Sequence, residues 1–576
     1  MARPVTGKVM EDKIWVKQAN GTWYCFERKR VWEDGKAKNL GKRLIGKADE
    51  RGGELRPTRP KRKPAPKAAD GQTAATRRHT GMCDILEFIG RVSGIDDDLR
   101  KVAGAGTADK IISLARYAAA TDGATWPGVE AWMLTHPVPY EHPITQDVYL
   151  DLFRDIGLDE SIPQGFFRAR VAREDDPVLY VAYDSTTQTS ETRNPEARVG
   201  LNKDRHGVPA IKHLAMYSLK NRRPLAYAKR PGNVPDSLSI ENGIKQLKVL
   251  TDKDIAVVTD GGFTSEPNLG AILRSKYHSL TRVKIGLKWV KAEIDQRLEQ
   301  LRDVNRIMPS NRGTKGLTVT LTREFPYKRV YGSKTKGLKA GDTDHFRRRV
   351  YLHIYYDSAR RDREEQEFLD DVWDVKEKIE KGVPLDRHAE TVRDRYLTVK
   401  RRGKKVTVTV REDKTTEACR YFGMFALVSD YFKDADEALV VYRKREWVED
   451  YFERFKQGCD GKATRTGSAD SLAGRMFVQF VAMCYIEEIH NRIRDMKGEL
   501  GVPNGDAAHD TQTNLDAELE LKNWLQKRSM HNILLWFDAY ETFEVSTDIT
   551  KRKWGTESTA RDRLFLNKLV MVGAKG

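Results

Sequence analysis

Cysteine is scarce in this chain: Cys25, Cys83, Cys419, Cys459 and Cys484 stand singly, without the close pairs that a zinc ribbon or a disulfide framework requires. No two histidines are spaced as metal ligands either. A catalytic metal would therefore sit on carboxylates, which suits magnesium or manganese and argues against zinc. Long apolar runs are also missing. The best, Met476 to Ile486, is short and interrupted by Gln479, so no membrane-spanning helix is expected. The N-terminal MARPVTGKVMEDK lacks the apolar centre of a signal peptide, and a cytoplasmic protein is expected.

What is abundant is positive charge. The 576 residues carry a formal net charge of +18, with a pI near 9.4. That balance fits a polyanionic partner better than a small-molecule substrate, with a membrane surface as the competing explanation. The length exceeds what one core sustains and implies about two to four domains.

Along the chain, residues 1–48 read as a small β module, because Asn20-Gly21 and Asp34-Gly35 punctuate strand-like runs as hairpin turns. Residues 49–80, basic and rich in Pro and Ala, read as a linker. Residues 81–175 hold several short helices with Gly breaks, either a DNA-binding bundle or plain packing. At 178 the pattern changes to strand, with VLYVAYDSTT expected to end in Asp184. Two further strands flank the turn Asn221 to Pro224, a helix follows Pro235-Asp236, and the buried strand DIAVVTDGGF ends in Asp260. A right-handed crossover would set the strands of Asp184 and Asp260 side by side, so that the two acids can share a metal. Residues 290–415 read as a mainly β insertion around one highly charged helix. Arg347, Arg348, Arg349, Arg401, Arg402, Lys404 and Lys405 are candidate phosphate contacts there, or a solvated charged face. FGMFALVS returns as a strand, an almost wholly apolar helix follows near 471–493, and residues 501–576 form a C-terminal region with a possible strand LLWFDAYETFEV.

The stretch that organises the chain is YRKREWVEDYFERFK, Tyr442 to Lys456. Placed on one helix, Tyr442, Arg445, Glu449 and Lys456 return to one side as a polar stripe, while Val448, Phe452 and Phe455 form a packing stripe about 100° round. Glu446 and Glu453 also fall near the polar stripe, and an amphipathic helix with ordinary i,i+4 ion pairs would look similar. Likewise each Asp alone can merely cap a turn. Three acids in strand and helix contexts make a different case, since together they supply the oxygen-only ligands that two-metal phosphodiester chemistry needs.

The order Tyr, two residues, Arg, three residues, Glu, six residues, Lys resembles the YREK signature of DDE transposases of the insertion-sequence-four superfamily. DSTT, the PGN of KRPGNVPDS, VVTDGGF and FGMFALVSD look like further elements of that family. The resemblance implies an α/β, RNase H-like mixed sheet formed by residues 176–289 and 416–500, interrupted by the insertion and preceded by the β module and helical region. It implies Asp184, Asp260 and Glu449 as ligands of Mg2+, with Mn2+ as substitute, and Tyr442, Arg445 and Lys456 as grips on the DNA phosphates. The activity implied is cut-and-paste transposition of an insertion sequence: cleavage at terminal inverted repeats, then transfer of the freed 3′-hydroxyl into target DNA by a nucleoid-associated homodimer. An Arg common after the second Asp is replaced by Gly261, and Trp289 stands either as a base-holding aromatic or as a core residue. A stand-alone RNase H-like endonuclease and a transposase-derived DNA-binding protein without catalysis are the competing classes.

Overall fold

A computed structural model describes residues 9–18, 21–33, 36–56, 74–123, 125–200, 207–235, 240–263, 265–274, 277–329, 337–403, 405–506, 508–546 and 551–572. The chain divides into two compact units, one comprising Met1–Pro235, Lys245–Lys253 and Glu446–Gly576, the other Asp236–Ile244 and Asp254–Arg445.

The first unit opens with an antiparallel sheet of three strands, Val9–Lys17, Trp23–Glu33 and Lys36–Ala48, as the β-like runs predicted. Cys25 and Phe26 are buried in it, and Asp12 accepts from both Arg28 and Arg30. Asn20, Asp34 and Gly35 lie outside the described residues, as does most of the expected linker, residues 57–73. The end of that linker is ordered structure: Ala74–His79 is a strand paired with Glu541–Ser546. Helices Gly81–Val92, Ile95–Ala103, Ala105–Thr121, Gln146–Leu158 and Ser161–Ala172 follow. The long helix Ala469–Glu499, apolar nearly all round, is buried for most of its length and packs on several of them. Its crossing with Gln146–Leu158 is made by two glycines. A Cβ at Gly474 would stand 1.9 Å from the Phe153 carbonyl oxygen, and one at Gly157 would stand 1.8 Å from that of Asp470.

The strands Val178–Ser190, Pro209–Ser218 and Arg223–Pro231 form the meander expected of them, antiparallel in that order, with Ala463–Thr464 added in parallel to the first. On this sheet packs the helix Glu446–Gly458. The imidazole of His213, fully buried on the central strand, stacks on Phe455 at 4.8 Å and on Tyr227 at 5.0 Å. The expected strand LLWFDAYETFEV is instead a helix, Met530–Asp538, followed by the strand Glu541–Ser546. Ser529 caps that helix through its hydroxyl, and Ile533, Leu534 and Phe537 share a buried helical face that alternation could not reveal.

The second unit holds a mixed sheet. Asp254–Thr259 runs parallel to His278–Val283, which pairs antiparallel with Met424–Ser429, and Thr343–Asp357 and Asn311–Lys328 continue antiparallel beyond it. The long hairpin Asn311–Lys328/Thr343–Asp357 therefore joins the sheet that also carries Asp260. The rest of the interval up to residue 415 holds helices Ser358–Glu380 and Arg387–Tyr396 and the hairpin Leu397–Arg402/Lys405–Val410, with its own small core of Val375, Ile379, Val392 and Leu397. Among the described residues no helix is long and apolar enough to cross a membrane.

Burial lowers His213 to about 3 in the first unit and His353 to about 4 in the second, from an ordinary 6.5. Unfolding lets both rings take up a proton as soon as pH falls below about 6.5, whereas the folded rings stay neutral until the lowered values. Stability should therefore fall with decreasing pH through that window, by up to ~1.4 kcal/mol per pH unit per ring. Thermal unfolding from pH 7 to pH 4 checks this, and a flat melting temperature would contradict the neutral burial of both rings.

Candidate functional site

In the second unit, the apolar run Ile255 to Val258 is buried and Asp260 follows the last residue of its strand, as expected. The chain turns there in a short 3-10 segment, Gly261–Phe263, with the Phe263 amide donating to the Asp260 carbonyl at 3.1 Å. The half-buried carboxylate of Asp260 accepts the Tyr442 hydroxyl at 3.2 Å through Oδ1. Burial first, and the negative charge of Asp260 second, push the Tyr442 phenol up to about 12, while Arg445 and Arg282 act in the opposite direction. Tyr442 is thus a neutral hydrogen-bond donor across the physiological range, and the Arg445 guanidinium lies 5.9 Å from its ring centre.

A cavity of about 780 Å³ opens beside Asp260, lined among others by Gly261, Arg282, Lys284, Arg360, Tyr421 and Phe425. Arg282 is a residue that sequence reasoning missed. Thr281 pairs with Thr259, so Arg282 stands level with Asp260 on the neighbouring strand, a register that RVKIGLKWV does not disclose. A Cβ at Gly261 would meet the Arg282 carbonyl oxygen at 3.7 Å, an ordinary contact. Packing therefore does not demand glycine where an arginine was expected.

In the first unit, Asp184 is half-buried and is not at a strand end. The strand continues through it to Ser190, because Thr186 to Thr189 remain paired with Ala210 to His213. The apolar run stops at Asp184, but the hydrogen-bond ladder does not. Its Oδ1 accepts the Ser185 amide at 2.8 Å. Glu449 is exposed in the first turn of Glu446–Gly458, and Lys456, half-buried, is in its last turn. Val448, Tyr451, Phe452 and Phe455 are the buried face of that helix.

The single helix expected from Tyr442 to Lys456 is two helices. Ala435–Arg443 ends at Lys444, and Glu446–Gly458 begins after Arg445. The Arg445 amide donates to the Tyr442 carbonyl at 3.0 Å, a three-residue turn in place of the four-residue helical bond. No proline or glycine marks the break. Each half buries its own apolar face, Ala438, Leu439 and Val441 in one and Val448 to Phe455 in the other, and packing sets the division. One unit accordingly holds Asp260, Tyr442 and Arg445, and the other holds Asp184, Glu449 and Lys456.

Trp289 packs against the sheet core of the second unit, with the Arg323 guanidinium 4.3 Å from its ring centre. Arg347, Arg348, Arg349, Arg401 and Arg402 are exposed, as a phosphate contact or a solvated face requires; Lys404 lies outside the described residues. Asp430 also follows a strand, and its carboxylate is occupied by the Ser279 amide and the Arg348 guanidinium, a structural role. Among the described residues His79, His136 and Asp538 have potential ligand atoms within 4.8 Å of one another. The two rings stack at 20°, however, and near-parallel rings do not direct lone pairs at one ion.

Tyr442→Phe removes the hydroxyl that donates to Asp260 Oδ1. The variant should fold with an unchanged circular dichroism spectrum and lose ~1.5–3 kcal/mol of stability in denaturant titration, the range for a hydrogen bond to a charged group. An unchanged midpoint would show that the hydrogen bond contributes nothing.

No curated protein matches the sequence. Among solved structures, a chain of piggyBac transposase in a synaptic complex with hairpin DNA is similar at 12% identity and a TM-score of 0.28, over 69% of this chain. The match spans 61% of that chain's own length, less than two thirds, and at that score it carries no argument about the site. The sequence profile of the family described as "Transposase DDE domain" matches residues 180–485, more than half of the chain and a span that includes Asp184, Asp260 and Glu449, and the chain belongs to that family.

Proposed function

We propose that this protein is a transposase that moves an insertion sequence by a cut-and-paste route, with Asp184, Asp260 and Glu449 as the ligands of its divalent ions. The observation that supports this most directly is the hydrogen bond from Tyr442 to Asp260, which joins a residue of the YREK signature to one of the acids inside the family span. Three carboxylates offer only oxygen donors, the set that Mg2+ prefers and Mn2+ accepts. When bound, such ions activate an attacking oxygen and stabilise a leaving one.

The chain's own groups divide the remaining work. Tyr442, neutral at physiological pH, orients the Asp260 carboxylate through its donated proton. Arg445 and Lys456 supply the positive charge that would hold the phosphates flanking the cut. In the first step water attacks the phosphorus at the transposon end, and the 3′-oxygen departs as a hydroxyl. In the second, that hydroxyl attacks a target phosphodiester, whose own 3′-oxygen leaves, so no external oxidant or energy source is needed. A dimer holding two ends would perform both steps on terminal inverted repeats and target DNA. The RNase H-like core is read as residues 176–289 with 416–500.

The test is cleavage of a supercoiled plasmid carrying the element's own ends, in Mg2+ or Mn2+, with native protein and Glu449→Gln. The native protein should cut at the ends and expose 3′-hydroxyls, and the single amide should reduce cutting by at least ~100-fold, the scale on which removing one electrostatic stabiliser of a transition state slows a reaction. Binding of the ends without cutting by either protein would favour a DNA-binding role alone. Cutting without regard to the ends would favour an RNase H-like endonuclease.

A further inference from the structure

The buried stripe Val448, Tyr451, Phe452 and Phe455 leaves the helix Glu446–Gly458 with two exposed flanks. At about 100° per residue, Glu449 and Lys456 fall on one flank and Trp447, Asp450 and Arg454 on the other. The second flank has no part in the proposed chemistry. It forms one wall of a separate cavity of about 390 Å³, whose other walls are Tyr217, Arg222 at the turn before Arg223–Pro231, and Glu487, His490, Asn491 and Arg494 of the long helix.

The lining carries three arginines, Arg222, Arg454 and Arg494, and two acids, Asp450 and Glu487. Arg454 is consumed by the fold, since its guanidinium bonds both oxygens of the buried Glu487, at 2.6 and 3.1 Å, and the Tyr217 hydroxyl donates to the same carboxylate at 2.6 Å. Arg222 lies 3.7 Å over the Trp447 ring, with no ion pair to a carboxylate among the described residues. Its backbone holds φ +50, a left-handed conformation uncommon outside glycine. Arg494, exposed at the rim, bonds Asn491 at 2.9 Å and pairs with the exposed Asp495 at 3.2 Å. Asp450, also exposed, is the remaining acid of the lining. Burial first, and then Arg454, Lys497 and Arg494, lower His490 to about 4; burial and then Arg494 lower Arg222, while Asp495, Tyr217 and Asp450 act in the opposite direction.

We propose that this cavity is a phosphate-binding site, with Arg222 and Arg494 as its ligating cations, and that the phosphate is supplied by a nucleic-acid backbone lying along the flank of the helix away from Glu449. A guanidinium held over an indole by a cation–π contact retains its N–H donors, which can grip phosphate oxygens in pairs. The volume is at the small end of the range for ligand cavities, about 300–1,000 Å³, and suits a phosphate with its sugar rather than a base pair. The chain's net charge of +18 favours a polymeric anion over a free one. The site does not depend on the acids at 184, 260 and 449.

The experiment uses the full chain and a labelled duplex of arbitrary sequence, with affinity measured by fluorescence anisotropy across a salt series. Native protein is compared with Arg222→Gln, Arg494→Gln and the double variant. The double variant should bind about tenfold more weakly, with a slope of log affinity against log salt shallower by about one, as expected when one phosphate is no longer neutralised. No divalent ion is added and no cleavage is read, so a failure of the catalytic reading leaves this result intact. Arg494, on the exposed rim, gives an interpretable single variant should Arg222→Gln fail to fold. Calorimetry with inorganic phosphate separates the sources: binding by native protein that the double variant loses, with duplex affinity unchanged, would assign a free phosphate and overturn the backbone. An unchanged slope together with no phosphate binding would overturn the site altogether.

Discussion

The packing of the helix Glu446–Gly458 on the antiparallel strands behind it is the constraint on which the first unit's chemistry depends. Phe455 and Tyr227 enclose the neutral imidazole of His213, and Val448, Tyr451 and Phe452 complete the buried stripe. A helix anchored along one face cannot rotate, so the positions of Glu449 and Lys456 on one flank and of Trp447 and Arg454 on the other follow from that anchoring. The polar residues do not have to pack in order to be placed. Apolar residues on the same helix do this for them, and the acid at 449 stays exposed while its backbone is held.

The second unit solves the same problem with a sheet. Parallel pairing of Asp254–Thr259 with His278–Val283 brings Asp260 and Arg282 to the same edge, whereas the antiparallel strand Met424–Ser429 delivers Asp430 to the opposite one. The two aspartates have similar sequence contexts and different fates. The Asp430 side chain is 1% exposed and bonds an amide and a guanidinium, while Asp260 accepts the Tyr442 phenol and borders an open cavity. Strand direction separates a structural acid from a candidate catalytic one.

Positive charge is used in more than one way in this chain. Arg454 is a structural cation because Glu487 is buried beside it, and a buried carboxylate without that partner would be strongly destabilising. Arg222 and Arg494 face a cavity, Arg348 binds the Asp430 carboxylate, and Arg347 and Arg349 are exposed on the same hairpin. Composition reports all of these alike.

The sequence by itself determined the elements whose periodicity is unambiguous: the N-terminal strands, the buried run before Asp260, the meander from 178 to 231 and the long apolar helix. It also brought forward Asp184, Asp260 and Glu449, because acids that end apolar runs or follow a specific polar spacing are visible without coordinates. Tertiary structure decided what local pattern leaves degenerate. It continued the strand past Asp184, since ladder pairing does not stop where hydrophobicity does. It broke the helix at Lys444-Arg445, where two buried faces compete and no residue type signals a break. It put Arg282 level with Asp260, joined the hairpin of residues 311–357 to the sheet and made Met530–Asp538 a helix, because register and packing partners are properties of elements far apart in the chain, which no window of sequence contains.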